Sequence, residues 1–198
     1  VILDSHRIKT QTFFSLFRNY GLKVAKQVKL YHLQNSGISR KTKFKYIYKN
    51  ILRIKLTKKK INLLSKEFSN RTRKKIINHK ISKKLLLFFK NKSKKINFFI
   101  STGTPEKEIK LILKKKKLFQ YFKGIYGSPK KKIQHINKIR KNNKKTIFIG
   151  DSIEDYKSCK KTNTKFIFKI HSENKKIFKN FKEKKIYNFK NLKKFISY

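Results

Sequence analysis

With 198 residues, 37% of them hydrophobic and 14% aromatic, the chain can build one α/β core carrying a small insertion. No apolar run approaches the roughly 20 residues a membrane-spanning helix needs, and the single cysteine, Cys159, excludes an internal disulfide or a cysteine-based zinc site. Against 9 Asp and Glu stand 57 Lys and Arg, a formal net charge of +48 that strains any fold by self-repulsion and draws polyanions to its surface.

The chain opens at Val1 with neither Met nor a signal peptide, which reads as a cut N-terminus and a cytoplasmic setting. Asp4-Ser5 ahead of Phe13, Leu16, Phe17 and Tyr20 predicts a capped amphipathic helix that Gly21 stops. A second helical stretch runs to about His32, where Gln34-Asn35-Ser36-Gly37 breaks the period. Phe44, Ile47, Tyr48, Ile51 and Leu52 recur at helical spacing, as do Ile61, Leu64 and Phe68, so residues 8–80 read as helices throughout. His32 and His79 read as structural or exposed side chains.

The period then changes. Residues 96–100, 146–149 and 165–168 are compact apolar runs, Ile125-Tyr126 is a shorter one, and helical stretches at 105–116, 131–141 and 152–161 separate them. Short buried strands alternating with helices form a parallel sheet covered on both faces. The fold class is therefore α/β, Rossmann-like, with Cys159 an apolar filler on the last of these helices. In open sheets of this kind ligands sit beyond the carboxyl ends of the strands.

Three polar groups stand at or between those ends. Thr102-Gly103-Thr104 offers a hydroxyl and backbone N–H groups ahead of a helix, where donors and the helix dipole suit a phosphate. Gly127-Ser128-Pro129-Lys130-Lys131-Lys132 opens the next helix, and Lys131 or Lys132 could neutralise a phosphate as a point charge. Gly150-Asp151-Ser152-Ile153-Glu154-Asp155 brings two carboxylates to one side of a helix start, hard oxygen ligands that suit Mg²⁺.

Taken in order, hydroxyl turn, lysine and Gly-Asp-x-x-x-Asp resemble the haloacid dehalogenase-like phosphatases, and the resemblance covers nearly the whole chain. Val1-Ile2-Leu3-Asp4-Ser5 looks like the tail of that family's first motif, D-x-D-G-[TV]-[LI]-x-D-S. The resemblance implies domains at 1–7 (motif tail), 8–80 (helical cap) and 81–198 (Rossmann-like core). It implies Thr102, Lys132 and Asp155 as catalytic, Asp151 as a magnesium ligand, and Gly103 and Thr104 as phosphate-binding. Residues 35–40 resemble the cap loop of β-phosphoglucomutase-like members, with Ser39 and Arg40 facing substrate and Arg40 holding a carboxylate or second phosphate.

The implied reaction is Mg²⁺-dependent hydrolysis of a small phosphorylated metabolite through an aspartyl-phosphate, with a phosphomutase as the rival chemistry. The implied nucleophile lies upstream of Val1, on a central strand between those ending at Thr102 and Gly150. Without that strand, backbone groups on both neighbours lose partners at about 1–3 kcal/mol each, and the chain is expected to fold poorly and be inactive alone. The rival from another class is a basic nucleic-acid-binding protein. The lysines are dispersed through every segment, however, which fits compositional drift better than a binding face and predicts at most non-specific association.

Overall fold

The computed structural model describes residues 1–3 and 5–189. Asp4, expected to cap the first helix and close the first motif, lies outside the described residues, as do residues 190–198 of the expected core. Four helices come first: α1 (His6–Leu16), α2 (Leu22–Gln34), α3 (Arg40–Tyr46), which continues into a wider turn at Ile47–Leu52, and α4 (Lys58–Asn78). Their apolar stripes converge, and Phe13, Phe17, Val28, Phe44, Ile47, Tyr48, Leu64 and Phe68 bury one another in a single cluster. Burial of that aromatic area, rather than helix propensity, holds these lysine-rich helices together.

A buried ion pair ties this helical layer to the rest. Arg40 on α3 forks onto Glu108 of α6 (Glu106–Lys115) at 2.9 and 3.0 Å, with Ser69 of α4 also donating to the carboxylate at 2.7 Å. The guanidinium lies 4.7 Å from the centre of the Phe68 ring. Arg40, expected to face substrate, is thus committed to Glu108. Removing one partner of a buried pair strands the other as an unpaired charge, so Glu108→Ala is expected to cost about 3–5 kcal/mol. The double change Arg40→Met with Glu108→Met should cost far less; denaturant midpoints compare the two, and equal losses would contradict the tether.

The remaining elements form a parallel sheet in two parts. Strand β1 (Phe98–Pro105) pairs with β2 (Phe122–Ser128), Ile100 facing Ile125. Strand β3 (Ile147–Gly150) pairs with β4 (Lys165–Lys169), Phe148 facing Phe166, and β4 pairs with β5 (Lys185–Ile186). The orders are β1-β2 and β3-β4-β5, and among the described residues no ladder joins β1 to β3. Each part has its own core: Ile100, Leu113 and Phe122 in one, Cys159, Phe166, Phe168 and Phe178 in the other. Between β1 and β3, and beneath the helical layer, lies a cavity of about 1090 Å³ walled by Phe99, Ser101, Phe148 and Ile149.

Helices α6, α7 (Lys132–Lys141) and α8 (Ile153–Lys161) fall where the sequence places them. Helix α5 (Lys83–Lys92) was not foreseen, because Leu85-Leu86-Leu87-Phe88-Phe89 is continuously apolar and matches neither period. It is helical because Leu85 and Phe89, one turn apart, seat together against Ile100 and Phe122. Strand β1 runs on through Thr102 to Pro105, past its expected end, and β2 is longer than Ile125-Tyr126 alone. None of the described helices is long and apolar enough to cross a membrane.

Candidate active site

The pocket floor is built at the carboxyl ends of β1 and β3. Lys132, the first residue of α7, is buried and bonds Oδ1 of Asp155 in the first turn of α8. The other oxygen of Asp155 accepts the Ser152 hydroxyl at 2.6 Å and the Asp151 amide at 3.3 Å. Ser152 caps α8 by accepting the Asp155 amide at 3.2 Å. Both Asp155 oxygens are therefore occupied, and its carboxylate fixes the direction of Lys132. Lys131 is exposed at the helix cap, its amide bonded to Gln134, so of the two lysines it is Lys132 that enters the pocket. Ser152, unremarked in the sequence, is the hinge of this network.

Asp151 lines the same cavity, and its Oδ2 accepts the backbone nitrogen of Val1 at 2.7 Å. Burial works to raise its carboxyl, and the nearby Lys132 ammonium works to lower it. A carboxylate oxygen lining the cavity here is the kind of hard donor Mg²⁺ requires. Mg²⁺ keeps several waters and binds through one or two carboxylates plus phosphate oxygens. Among the described residues no three acidic, His or Cys side chains converge as a complete cage. Asp151 alone fits that sparse donor set, while Asp155 is already occupied.

At the end of β1, Thr102 Oγ1 accepts the Thr104 amide at 3.2 Å, and the Thr104 hydroxyl accepts Lys9 Nζ at 3.2 Å. Thr102, Gly103 and Thr104 all line the cavity. The helix start behind them differs from expectation: Glu106 and Glu108 stand in the first turn of α6, with Glu106 facing the Gly127 amide at 3.3 Å. Those acids meet the positive end of the helix themselves, so the dipole offers little to a phosphate.

The loop between α2 and α3 closes over this floor. A methyl at Gly103 would stand 2.7 Å from the Gly37 carbonyl oxygen, and one at Gly37 would stand 3.1 Å from Lys132 Nζ. Gly37 also has φ +86°, so glycine is required there twice over, by conformation and by space. Ser39, expected to face substrate, instead caps α3, accepting the Thr42 amide at 3.3 Å outside the cavity wall.

Among the further polar side chains on the cavity wall are Lys9 of α1, His32 of α2 and Lys43 of α3, to which the sequence reading gave no part in the site. Burial, reinforced by Arg40, lowers Lys9 to about 8. Burial, reinforced by Lys9 and Lys132, lowers Lys43 to about 7.

A family model described as haloacid dehalogenase-like hydrolase matches residues 1–169. No curated protein matches the chain. Among solved structures, a haloacid dehalogenase-like family hydrolase from Streptococcus pneumoniae superposes with a TM-score of 0.67 at 15% identity, over 99% of this chain and 93% of its own. A candidate phosphatase from Clostridium difficile gives 0.65 at 18% identity, over 99% and 94%. The candidate HAD-hydrolase YfnB from Bacillus subtilis, solved with magnesium bound, gives 0.64 at 15% identity, over 98% and 93%. At such identities these structures speak for the fold alone. The family match, however, takes in strands β1 to β4 and every polar group on the pocket floor, and the chain belongs to the haloacid dehalogenase-like hydrolases.

Proposed function

We propose that this pocket serves Mg²⁺-dependent hydrolysis of a small phosphorylated metabolite through an aspartyl-phosphate. The observation that supports it best is the meeting of Lys132, fixed by Asp155, with ionised Asp151 at the ends of two strands beneath a closing loop. In this reading the substrate's P–O ester bond breaks as a carboxylate oxygen bonds to phosphorus, and water then cleaves the acyl phosphate. Lys132 offsets charge on the phosphoryl oxygens, and Thr102 with the Gly103 amide orients them. Asp151 would hold Mg²⁺, which when bound supplies further positive charge to the same oxygens. The loop at Gly37 shields the group from water until transfer is complete.

The attacking aspartate is read as carried on a strand seated between β1 and β3, preceding Val1. Protein expressed together with the residues encoded upstream of Val1 should release phosphate from a panel of phosphate monoesters, and only with Mg²⁺ present. Asp151→Asn should lower that rate by about a hundredfold or more. A protein that stays folded yet hydrolyses no ester, with or without the metal, would overturn the reading. Sugar-phosphate isomerisation in place of phosphate release would assign the phosphomutase chemistry.

A further inference from the structure

The helical layer carries a second cleft, apart from the pocket chemistry. It lies where the wide turn at Ile47–Leu52 leads into α4, encloses about 530 Å³, and shares no wall residue with the cavity between β1 and β3. Part of its wall is apolar. Ile61 is buried there and Leu56 packs against the aromatic cluster of the layer. Ile54 stands beside them 48% exposed and belongs to none of the apolar clusters of the described residues. The rest of the wall is Lys45, Lys49, Arg53 and Lys55, all exposed. Among the described residues none of these four has a carboxylate within salt-bridge distance.

Unpaired lysines are ordinary on a chain with 57 cations and 9 acids, so charge alone marks nothing here. Two observations set this cleft apart. One is the open isoleucine ringed by cations, which offers both halves of an amphipathic contact. The other is Arg53. Its φ of 57° is left-handed, a conformation glycine takes freely and a longer side chain takes at a penalty. The turn requires that conformation: the amides of Arg53 and Ile54 both return to the Tyr48 carbonyl, the second at 3.0 Å. Glycine would close the same turn with less strain, and the Arg53 guanidinium meets no carboxylate of the described chain. Its side chain therefore answers to something outside the fold.

Exposed ion pairs are individually weak, so an occupant must meet several of these cations at once and cover the isoleucine as well. A lone phosphate or carboxylate does neither. The wall holds no aromatic ring on which the bases of a single-stranded nucleic acid could stack. A second copy of this chain brings too few acids. We propose that the cleft docks an acidic segment of a partner protein, one with several carboxylates set around an aliphatic or aromatic anchor that covers Ile54.

Fluorescence anisotropy tests this on the protein expressed together with the residues encoded upstream of Val1, at an ionic strength of about 0.3 M to suppress diffuse attraction. The probes are labelled peptides of equal length: Glu-Glu-Leu repeats, the same with Gln for Leu, and the same with Gln for Glu. The Glu-Glu-Leu peptide should bind about tenfold or more tightly than the Glu-Glu-Gln peptide, and the uncharged one not at all. Lys49→Gln combined with Arg53→Gly should weaken the first by about tenfold. Ile54→Gln should bring the two acidic peptides level. Lys157→Gln with Lys161→Gln, which removes equal charge from the exposed side of α8, should change affinity by no more than about twofold. Arg53→Gly alone should leave the melting temperature unchanged or raise it.

An equal loss in the α8 variant would reduce the binding to diffuse charge and overturn the docking site. So would equal affinity for the two acidic peptides, no binding of either, or a fall in melting temperature with Arg53→Gly. A uridine oligonucleotide or phosphatidylserine vesicles held through Arg53 and Ile54 in preference to the Glu-Glu-Leu peptide would assign the cleft to another class of partner and overturn it too. The phosphohydrolase reading rests on other residues and stands or falls separately.

Discussion

Lys132→Met is expected to leave Asp155 as a buried carboxylate deprived of its cation, and to lower folding stability by about 3–5 kcal/mol. In the protein expressed together with the residues upstream of Val1, loss of the positive charge on the pocket floor should separately lower phosphate-ester turnover by about a hundredfold to a thousandfold in whatever remains folded. The two effects can be parted. In Lys132→Met with Asp155→Asn, the amide still accepts the Ser152 hydroxyl and no unpaired charge remains, so most of the stability should return. Turnover should not return with it. Urea unfolding read beside steady-state kinetics decides this, and a single variant that keeps full turnover would remove Lys132 from the chemistry.

The second large effect runs the other way. Lys43→Met should make the protein more stable at pH 6, by on the order of 3 kcal/mol, because it replaces a buried cation with an apolar side chain of similar length. Lys43 releases its proton at about 7 when folded, against an ordinary value of 10.5. Between those values the unfolded chain holds more protons than the folded one, so this group's penalty is full below about pH 7 and fades as pH rises towards 10.5. Lys9, lowered to about 8, acts in the same direction. The gain from Lys43→Met should therefore shrink between pH 6 and pH 9.5. Denaturant unfolding at both values checks it; a loss of stability at pH 6 would show that the ammonium has a countercharge after all.

The sequence showed the floor of the pocket better than its roof. Asp151 and Asp155 stand out because acids are rare in this chain, and Gly150 with the strand before them fixes where they lie. Thr102 is legible for the same reason, as the polar residue after an apolar run. The lid cations are hidden by composition: among 57 Lys and Arg, no single lysine carries a signal by type. They do carry one by position. Lys9 lies four and eight residues before Phe13 and Phe17, Lys43 four before Ile47, and His32 four after Val28, all on stripes whose other members are buried in the apolar cluster. A cation where helical period demands an apolar side chain is the mark that was available.

Arg40 bonds Glu108 and Ser39 caps α3 for a related reason. The loop motif says where the chain turns towards the pocket but not which partner an arginine finds, and Glu108 lies 68 residues away in sequence. The two-part sheet follows from the same local logic that placed the strands, since their order was legible while β1 runs past its expected end and shares no ladder with β3 among the described residues. Helix α5 and strand β5 were illegible because one is apolar on every side and the other only two residues long.

The most direct test is calorimetric titration of inorganic phosphate with and without Mg²⁺, on the protein and on Asp151→Asn, at the ionic strength that screens the surface lysines. Phosphate affinity should rise by about tenfold or more when Mg²⁺ is present, and Asp151→Asn should abolish that rise while the fold survives. Affinity indifferent both to the metal and to Asp151 would mean that the pocket is no phosphoryl-transfer site.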